Sequence, residues 1–357
     1  MNKLVTIACF ILVLVVISAC SVFKSANTTV DPSERGDFRL MFYNVENLFD
    51  TEDDPEKKDE EFTPEGNKHW TPDRYRKKLS NISKVVTAIG GWEAPDLIGF
   101  CEVENLKVLE DLTKYTGLSK MNYGIVHKES PDNRGIDVAI LYRKDRVEPI
   151  AYKAIPVFLG ETGSRPTRDI LYFKGVLKRA DTIHFFVNHW PSRYGGHLES
   201  EPKRIKAAET LRAAVDSILI LNSQANIVIS GDLNDDPGDK SVSEILKAKA
   251  PSQENNDRLY NLSAQYLHPG ARGSLKYKGN WNVFDQFIVS NSLLKGHGKL
   301  KTTISSSRIF YGLPENEFLL EIDDRYQGLQ PNRTYRGRTF HDGYSDHLPV
   351  YLDLYKN

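Results

Sequence analysis

Cysteine is scarce: three residues in 357, at positions 9, 20 and 101, too few for a disulfide framework. An excess of charge of either sign is missing as well. With 47 Lys and Arg against 48 Asp and Glu, the formal net charge is −1. That balance excludes the basic surface of a protein that coats duplex nucleic acid and leaves turnover of a transient substrate. No Gly-rich phosphate loop, no Gly-x-Ser-x-Gly elbow and no His-Glu-x-x-His helix occurs, so P-loop, α/β-hydrolase and zinc-protease chemistry drop out. Repeats, heptads and low-complexity tracts are absent. The longest apolar run, Leu4 to Ile17, falls short of the roughly 20 residues that a transmembrane helix needs.

What that run does fit is an export signal. Lys3 precedes it, and Ile17-Ser18-Ala19-Cys20 closes it before the sequence turns polar. This ending resembles a bacterial lipobox, with residues 1–19 as signal peptide and Cys20 as the lipidated first residue of an exported, membrane-anchored lipoprotein. Residues 20–36, rich in Ser, Thr, Asn and charge, read as a flexible tether, and 37–357 as the folded domain. Cys101 then has no intramolecular partner and reads as a buried free thiol.

Beyond the tether the chain alternates. Phe38 to Asn44 reads as a strand; Thr71-Pro72 opens a helix whose Tyr75, Leu79, Ile82, Val86 and Ile89 recur at helical spacing; Gly90-Gly91 ends it. Pro95 to Glu102 is a buried strand and Leu106 to Tyr115 a second amphipathic helix. Successive strands follow at Tyr123 to Val126, Asp137 to Tyr142, Val147 to Ile155, Ile170 to Leu177 and Thr182 to Asn188, an antiparallel meander. Pro202 is expected to open the next helix, Ile227 a buried strand, and Val242 to Leu246 a short helix. Leu300 to Ile309 looks strand-like within a long segment from Leu293 to His341. The layers are therefore α/β (α+β) with mixed sheets.

Several strands end in polar groups. Ile227 to Ser230 runs into Gly231-Asp232-Leu233-Asn234, where Asp232 and Asn234 share one face if the backbone stays extended; an Asx-rich surface turn is the alternative for this tract alone. Asn44, Glu102, His189, Asp285, Asp346 and His347 stand at or near other strand ends. Carboxylates and amides without thiolates select a hard cation, Mg²⁺, Mn²⁺ or Ca²⁺, and two histidines beside them suit proton transfer near neutral pH. Together they point to metal-assisted attack of water on phosphorus. Arg333-Thr334-Tyr335-Arg336 mixes guanidinium with an aromatic ring, either a phosphate grip or a solvated loop.

Six stretches in order, Tyr43-Asn44-Val45-Glu46-Asn47, Gly99-Phe100-Cys101-Glu102-Val103, Asn188-His189-Trp190-Pro191-Ser192, Gly231-Asp232-Leu233-Asn234, Phe284-Asp285-Gln286-Phe287-Ile288-Val289-Ser290 and Ser345-Asp346-His347-Leu348-Pro349-Val350, resemble the endonuclease/exonuclease/phosphatase family. The resemblance implies a deoxyribonuclease I-like four-layer sandwich, two packed mixed β-sheets flanked by helices, with a divalent-metal site at one end. It implies Glu102, Asn44 and Asp346 at the metal, His347 and His189 as acid/base groups, and Asp232 and Asn234 positioning nucleophile and scissile phosphate. Asp285 would support this network and Asp137 orient one histidine, while Arg168 would contact substrate phosphate; the Arg193-Tyr194-Gly195-Gly196 loop and the Leu293 to His341 segment have no counterpart in the family, and substrate selection, with Arg193 as a substrate-binding candidate, is expected there. Two departures stand out. Cys101 replaces a glutamine, and Glu104 stands where the deoxyribonuclease I branch carries a DNA-contacting arginine.

The function this implies is a Mg²⁺-dependent phosphodiester hydrolase, an exported monomeric endonuclease acting on DNA or RNA. Two alternatives stand beside it: a phosphatase or phosphodiesterase acting on inositol phosphate or sphingomyelin-like headgroups, and a non-catalytic surface lipoprotein on the same fold.

Overall fold

The computed structural model describes residues 35–160, 167–253 and 258–357. The expected signal peptide, Cys20 and the tether up to residue 34 lie outside these residues. Of the tether, Arg35 and Gly36 are described, and Arg35 donates to the Asp96 carboxylate at 2.6 Å.

Along the chain come strand β1 (Phe38–Leu48), helix α1 (Pro72–Gly90), β2 (Leu97–Val103), α2 (Leu106–Lys114), β3 (Tyr123–His127) and β4 (Asp137–Arg143). Then follow β5 (Val147–Ile155), β6 (Ile170–Leu177), β7 (Thr182–His189), α3 (His197–Leu221), β8 (Ile227–Asp232), β9 (Ala248–Lys249) and β10 (Leu259–Asn261). The chain closes with β11 (Asp285–Ser290), α4 (Asn291–Lys295), β12 (Leu300–Lys301), β13 (Ser307–Ile309) and β14 (Val350–Lys356). These strands make two seven-stranded sheets, one ordered β12-β14-β1-β2-β4-β3 with β13 also on β14, the other β5-β6-β7-β8-β11-β10-β9. Each sheet has a parallel pair at its centre, β1 with β2 and β7 with β8, joined by a crossover helix. The architecture is the expected sandwich.

Alternation along the strands builds its layers. Phe186, Ile227 and Ile229 face the α3 residues Ala208, Leu211 and Val215, whereas Phe185, Val187 and Val228 belong to the core shared with the other sheet. Gly99 lets the sheets close, because a Cβ there would sit 2.7 Å from the Val187 side chain. Helix α1 opens as the sequence implies, Thr71 capping Arg74 N–H with Pro72 in the first turn, and it ends at Gly91 with φ 62°.

Three expectations are corrected. The meander is broken: β3 and β4 lie in one sheet and β5, β6 and β7 in the other, the chain changing sheets at Lys144 to Arg146. Helix α3 begins at His197 with Pro202 inside it. Arg204 reaches back to the His197 carbonyl at 3.0 Å and the Ser200 hydroxyl at 2.7 Å, tying the first turn of the helix to the residues beyond the proline. Leu300 to Ile309 is no continuous strand, since a 3₁₀ turn at Ile304–Ser306 separates β12 from β13. The short helix expected at Val242 to Leu246 is present as a single π-helical turn, Ser241–Ile245.

Candidate active site

The site is built where the central strands of both sheets end. In the second sheet, His189 of β7, Asp232 of β8 and Asp285 of β11 are direct partners across the ladder, so regular pairing alone sets them in one row. In the first sheet the strands are bulged. Register shifts fall between Asn44 and Leu48 and between Cys101 and Val103, and Glu46, Asn47 and Glu102 take positive φ of 50°, 60° and 61°. Non-glycine residues pay for that conformation, and such bulges re-aim side chains. Here they turn the Glu102 carboxylate back to accept the Asn47 N–H at 3.0 Å.

The two halves meet at Asp232. Its Oδ2 accepts from Asn44 Nδ2 at 3.1 Å and lies 3.6 Å from His189 Nε2 and 3.7 Å from His347 Nε2. His189 Nε2 is 3.9 Å from Glu102 Oε1. These imidazole separations exceed a direct hydrogen bond, leaving room for a bridging oxygen. Asp232 Oδ1 accepts the Asn234 N–H at 3.0 Å, and Asn234 Nδ2 donates to the Trp190 carbonyl at 3.1 Å. His347 Nδ1 is bonded to Asp285 Oδ2 at 2.7 Å. The Ser345 hydroxyl donates to the Asn44 carbonyl at 2.7 Å and accepts the His347 N–H, fixing this last turn against β1.

Electrostatics separate the two histidines. Burial pushes the His347 imidazole down, but Asp285 and Asp232 outweigh it and hold the ring well above its ordinary pKa. His189 goes the other way, depressed by burial and then by Arg168 and Arg134; its Nδ1 is buried without a partner. Burial raises Asp232 to about 7, with Asp285 and Glu102 adding to it and His347 opposing. Asp346 is held low by Arg333, His347 and Lys78 against the effect of its burial.

A hard divalent cation fits this donor set. Glu102 and Asp346 offer carboxylate oxygens, whereas the Asn44 amide turns its Nδ2 to Asp232 and gives its Oδ1 to the Glu46 N–H, and cations stand beside the same acidic groups. Of those cations, Arg333 belongs to the stretch read as a phosphate grip or a solvated loop, and Lys78 was not singled out by the sequence. Arg333 donates to Asp346 at 3.0 Å and to Glu46 at 2.9 Å. Lys78, buried on α1 and lowered to about 8 by that burial, holds the Thr334 hydroxyl and the Tyr344 carbonyl. A signal was present for Lys78, which falls on the apolar stripe of α1, and for the Arg333 acceptor Glu46, which lies two residues beyond Asn44.

Three candidates sit elsewhere. Asp137 does orient a histidine, but it is His127, at 3.0 Å, and not one of the pair at Asp232. Arg193 lies behind Asn234, donating to its carbonyl at 2.8 Å and to Asp239 at 2.7 Å, so its charge is already committed to carboxylates. Arg168 bonds Asp132 at 2.9 Å and the Trp190 carbonyl at 2.7 Å, beside the row rather than in it. Among the described residues, the tight groups of metal-ligand type are His127, Glu129 and Asp137, and His197, Asp235 and Asp239, neither of them the expected set. The second is neutralised by Arg193 and Arg204. Glu104 is buried, pushed up to about 8 chiefly by that burial, and accepts the Asp50 N–H at 2.6 Å.

Comparison with known proteins agrees with this geometry. The structure is similar to a humanized D. rerio TDP2, at 14% identity over 90% of this chain and 98% of that one with a TM-score of 0.54. A Bacteroides thetaiotaomicron mannosyl-6-phosphatase matches at 15% identity over 89% and 99% with a TM-score of 0.54. The human Nocturnin catalytic domain matches at 15% over 90% and 94%, TM-score 0.51. At such identities the likeness is one of fold. No curated protein matches the sequence. The sequence profile of the Endonuclease/Exonuclease/phosphatase family covers residues 39–356, and the chain belongs to that family of phosphoester hydrolases.

Proposed function

We propose that this protein is a divalent-metal-dependent phosphodiester hydrolase, an exported endonuclease acting on DNA or RNA and tethered to a membrane through lipidated Cys20. The observation that carries the reading is the row His189, Asp232, Asp285 with His347 closing on its far end. Glu102, Asn44 and Asp346 would hold a divalent cation, which when bound would supply Lewis-acid polarisation and neutralise developing charge. Asp232 accepts a proton from the attacking water held between its Oδ2 and the imidazoles. His347, its charged form supported by Asp285, donates a hydrogen bond from Nε2 to the phosphoryl group and a proton to the departing oxygen. His189 presents a neutral Nε2 to the same oxygens, and Asn234 holds Asp232 in register.

Two structural neighbours bear on substrate. One D. rerio TDP2 structure contains a single-strand DNA product, which supports the nuclease reading; the mannosyl-6-phosphatase supports the runner-up, a phosphatase of phosphorylated sugars or headgroups. A non-catalytic lipoprotein would need no such convergence of titratable groups. Plasmid DNA, single-stranded DNA, RNA and sugar phosphates incubated with the protein and Mg²⁺ test the reading. EDTA-sensitive cleavage of a nucleic acid is expected; phosphate release from the sugar substrates alone would replace the nuclease with the phosphatase. Radiolabelled fatty acid should enter the wild-type chain and not Cys20→Ala.

A further inference from the structure

A second cavity, of about 350 Å³, opens beside His189, with walls that include Lys58, Arg134, Arg168, Pro191, Tyr194 and Lys203. Five separate segments supply them: the loop after β1, the turn before β4, the start of β6, the loop after β7 and the second turn of α3. The walls carry four cations against one carboxylate, Asp132, which Arg168 reaches at 2.9 Å and Arg134 at 3.6 Å. Lys58 and Lys203 are exposed and, among the described residues, neither ammonium has a carboxylate partner. In a chain of net charge −1 this is a local concentration of positive charge, and it is anchored, since the Lys58 N–H donates to the Asn133 carbonyl at 2.8 Å. Tyr194 holds its ring 87% exposed, so core packing does not account for it.

The cavity also adjoins the catalytic row. Arg168 and Asn234 share the Trp190 carbonyl, at 2.7 and 3.1 Å, one from the cavity wall and the other from the site. Cations paired with an exposed ring are what a flanking phosphate and its base require, and the base must be unstacked to meet the ring. We propose that this cavity binds the nucleotide next to the scissile phosphate of a single-stranded nucleic acid, its phosphate on Lys58, Arg134 and Lys203 and its base on Tyr194. This rests on the phosphodiester-hydrolase reading of the adjoining site.

Binding and turnover are measured separately on the detergent-solubilised full chain. Anisotropy of a fluorescent single-stranded oligonucleotide in EDTA reads binding; hydrolysis of the oligonucleotide and of bis(p-nitrophenyl) phosphate in Mg²⁺ reads turnover. The double variant Lys58→Glu, Lys203→Glu should lose at least about tenfold in oligonucleotide affinity and flatten the salt dependence by roughly 0.7 in slope, the share of one phosphate. Its kcat/KM should fall for the oligonucleotide and stay for the small diester, which has no flanking phosphate. Tyr194→Ala should lose about tenfold on the oligonucleotide but bind inorganic polyphosphate like wild type. Wild-type affinity and slope in the double variant overturn the proposal. Wild-type oligonucleotide affinity in Tyr194→Ala overturns its nucleic-acid half, leaving a site for polyanions. If the wild-type chain hydrolyses neither diester, the catalytic reading fails, and anisotropy still decides what the cavity binds.

Discussion

The two sheets bring their polar groups to the same end by different means. Each has a parallel strand pair and a crossover helix at its centre. The second sheet delivers His189, Asp232 and Asp285 through unbroken pairing, so their spacing is set by the hydrogen-bonded ladder. The first delivers Asn44, Glu46 and Glu102 through bulged backbone and left-handed residues, held by Lys78 and Arg333. Proton transfer needs a fixed distance; binding a cation needs oxygens that can adjust to it. Under the proposed function the regular half carries the proton acceptor Asp232 and the Asp285 that supports His347, and the irregular half the carboxylates that would hold the metal.

The largest effects should come from removing the proposed metal-binding and proton-transfer functions one at a time. Glu102→Gln takes a full negative charge from the bulged half, and both metal affinity, read by titration calorimetry, and hydrolysis should fall to background. His347→Ala should cost roughly 10²–10⁴ in kcat and leave the calorimetric metal affinity intact. If His347→Ala lost the metal, or Glu102→Gln kept it, the division of labour between the halves would be wrong. Asp285→Asn, which keeps a hydrogen bond to His347 Nδ1 but not the charge, should cost less than His347→Ala. The double variant Asp285→Asn, His347→Ala should be no worse than His347→Ala alone, because the two act as one unit.

The regular half was legible in the sequence for the same reason that it is rigid. A strand of period two announces which face each residue takes, and β-branched runs ending in polar residues marked β7, β8 and β11 closely. The bulges were not legible, because Glu46 and Glu102 leave that period just where they become useful. Arg193 and Arg333 illustrate the remaining difficulty: both are arginines in polar loops, and only tertiary pairing decides which charge each meets. Arg193 found carboxylates adjacent to Asn234, 41 residues along the chain from it, while Arg333 found Glu46, separated by 287. Asp137 was read as a partner for a histidine, and the strand pairing of β3 with β4 chose His127.

The ladder itself can be strained without touching any titratable group. Gly231 opposes Asn188, one position before the row, and a Cβ there would lie 2.4 Å from the Asn188 carbonyl oxygen. Gly231→Ala should therefore push β7 and β8 apart, lowering stability by about 1–3 kcal/mol and misplacing His189 against Asp232. Gly238→Ala, where the nearest atom to a new Cβ is 3.9 Å away, is the control and should be neutral. A denaturation midpoint for Gly231→Ala equal to that of Gly238→Ala would show that the row does not depend on close strand approach.

The smallest effect separates the two histidines of β7. His184 lies toward the other end of the strand from His189, its Nδ1 2.7 Å from the Tyr172 hydroxyl, and burial followed by Lys174 lowers it to about 4. Both histidines are therefore neutral at pH 7, and depression alone does not make a catalytic group. The sign follows from linkage. The unfolded chain takes up a proton near pH 6.5 while folded His184 does not, so the stability tied to its neutral form is present above 6.5 and is lost as pH falls toward 4. One such group makes a modest contribution, about 1–3 °C in Tm between pH 7 and 5. His184→Phe should remove that share of the decline and leave hydrolysis unchanged. A change in kcat would mean that the far end of β7 reaches the site through the strand, which a rigid ladder carrying independent ends does not allow.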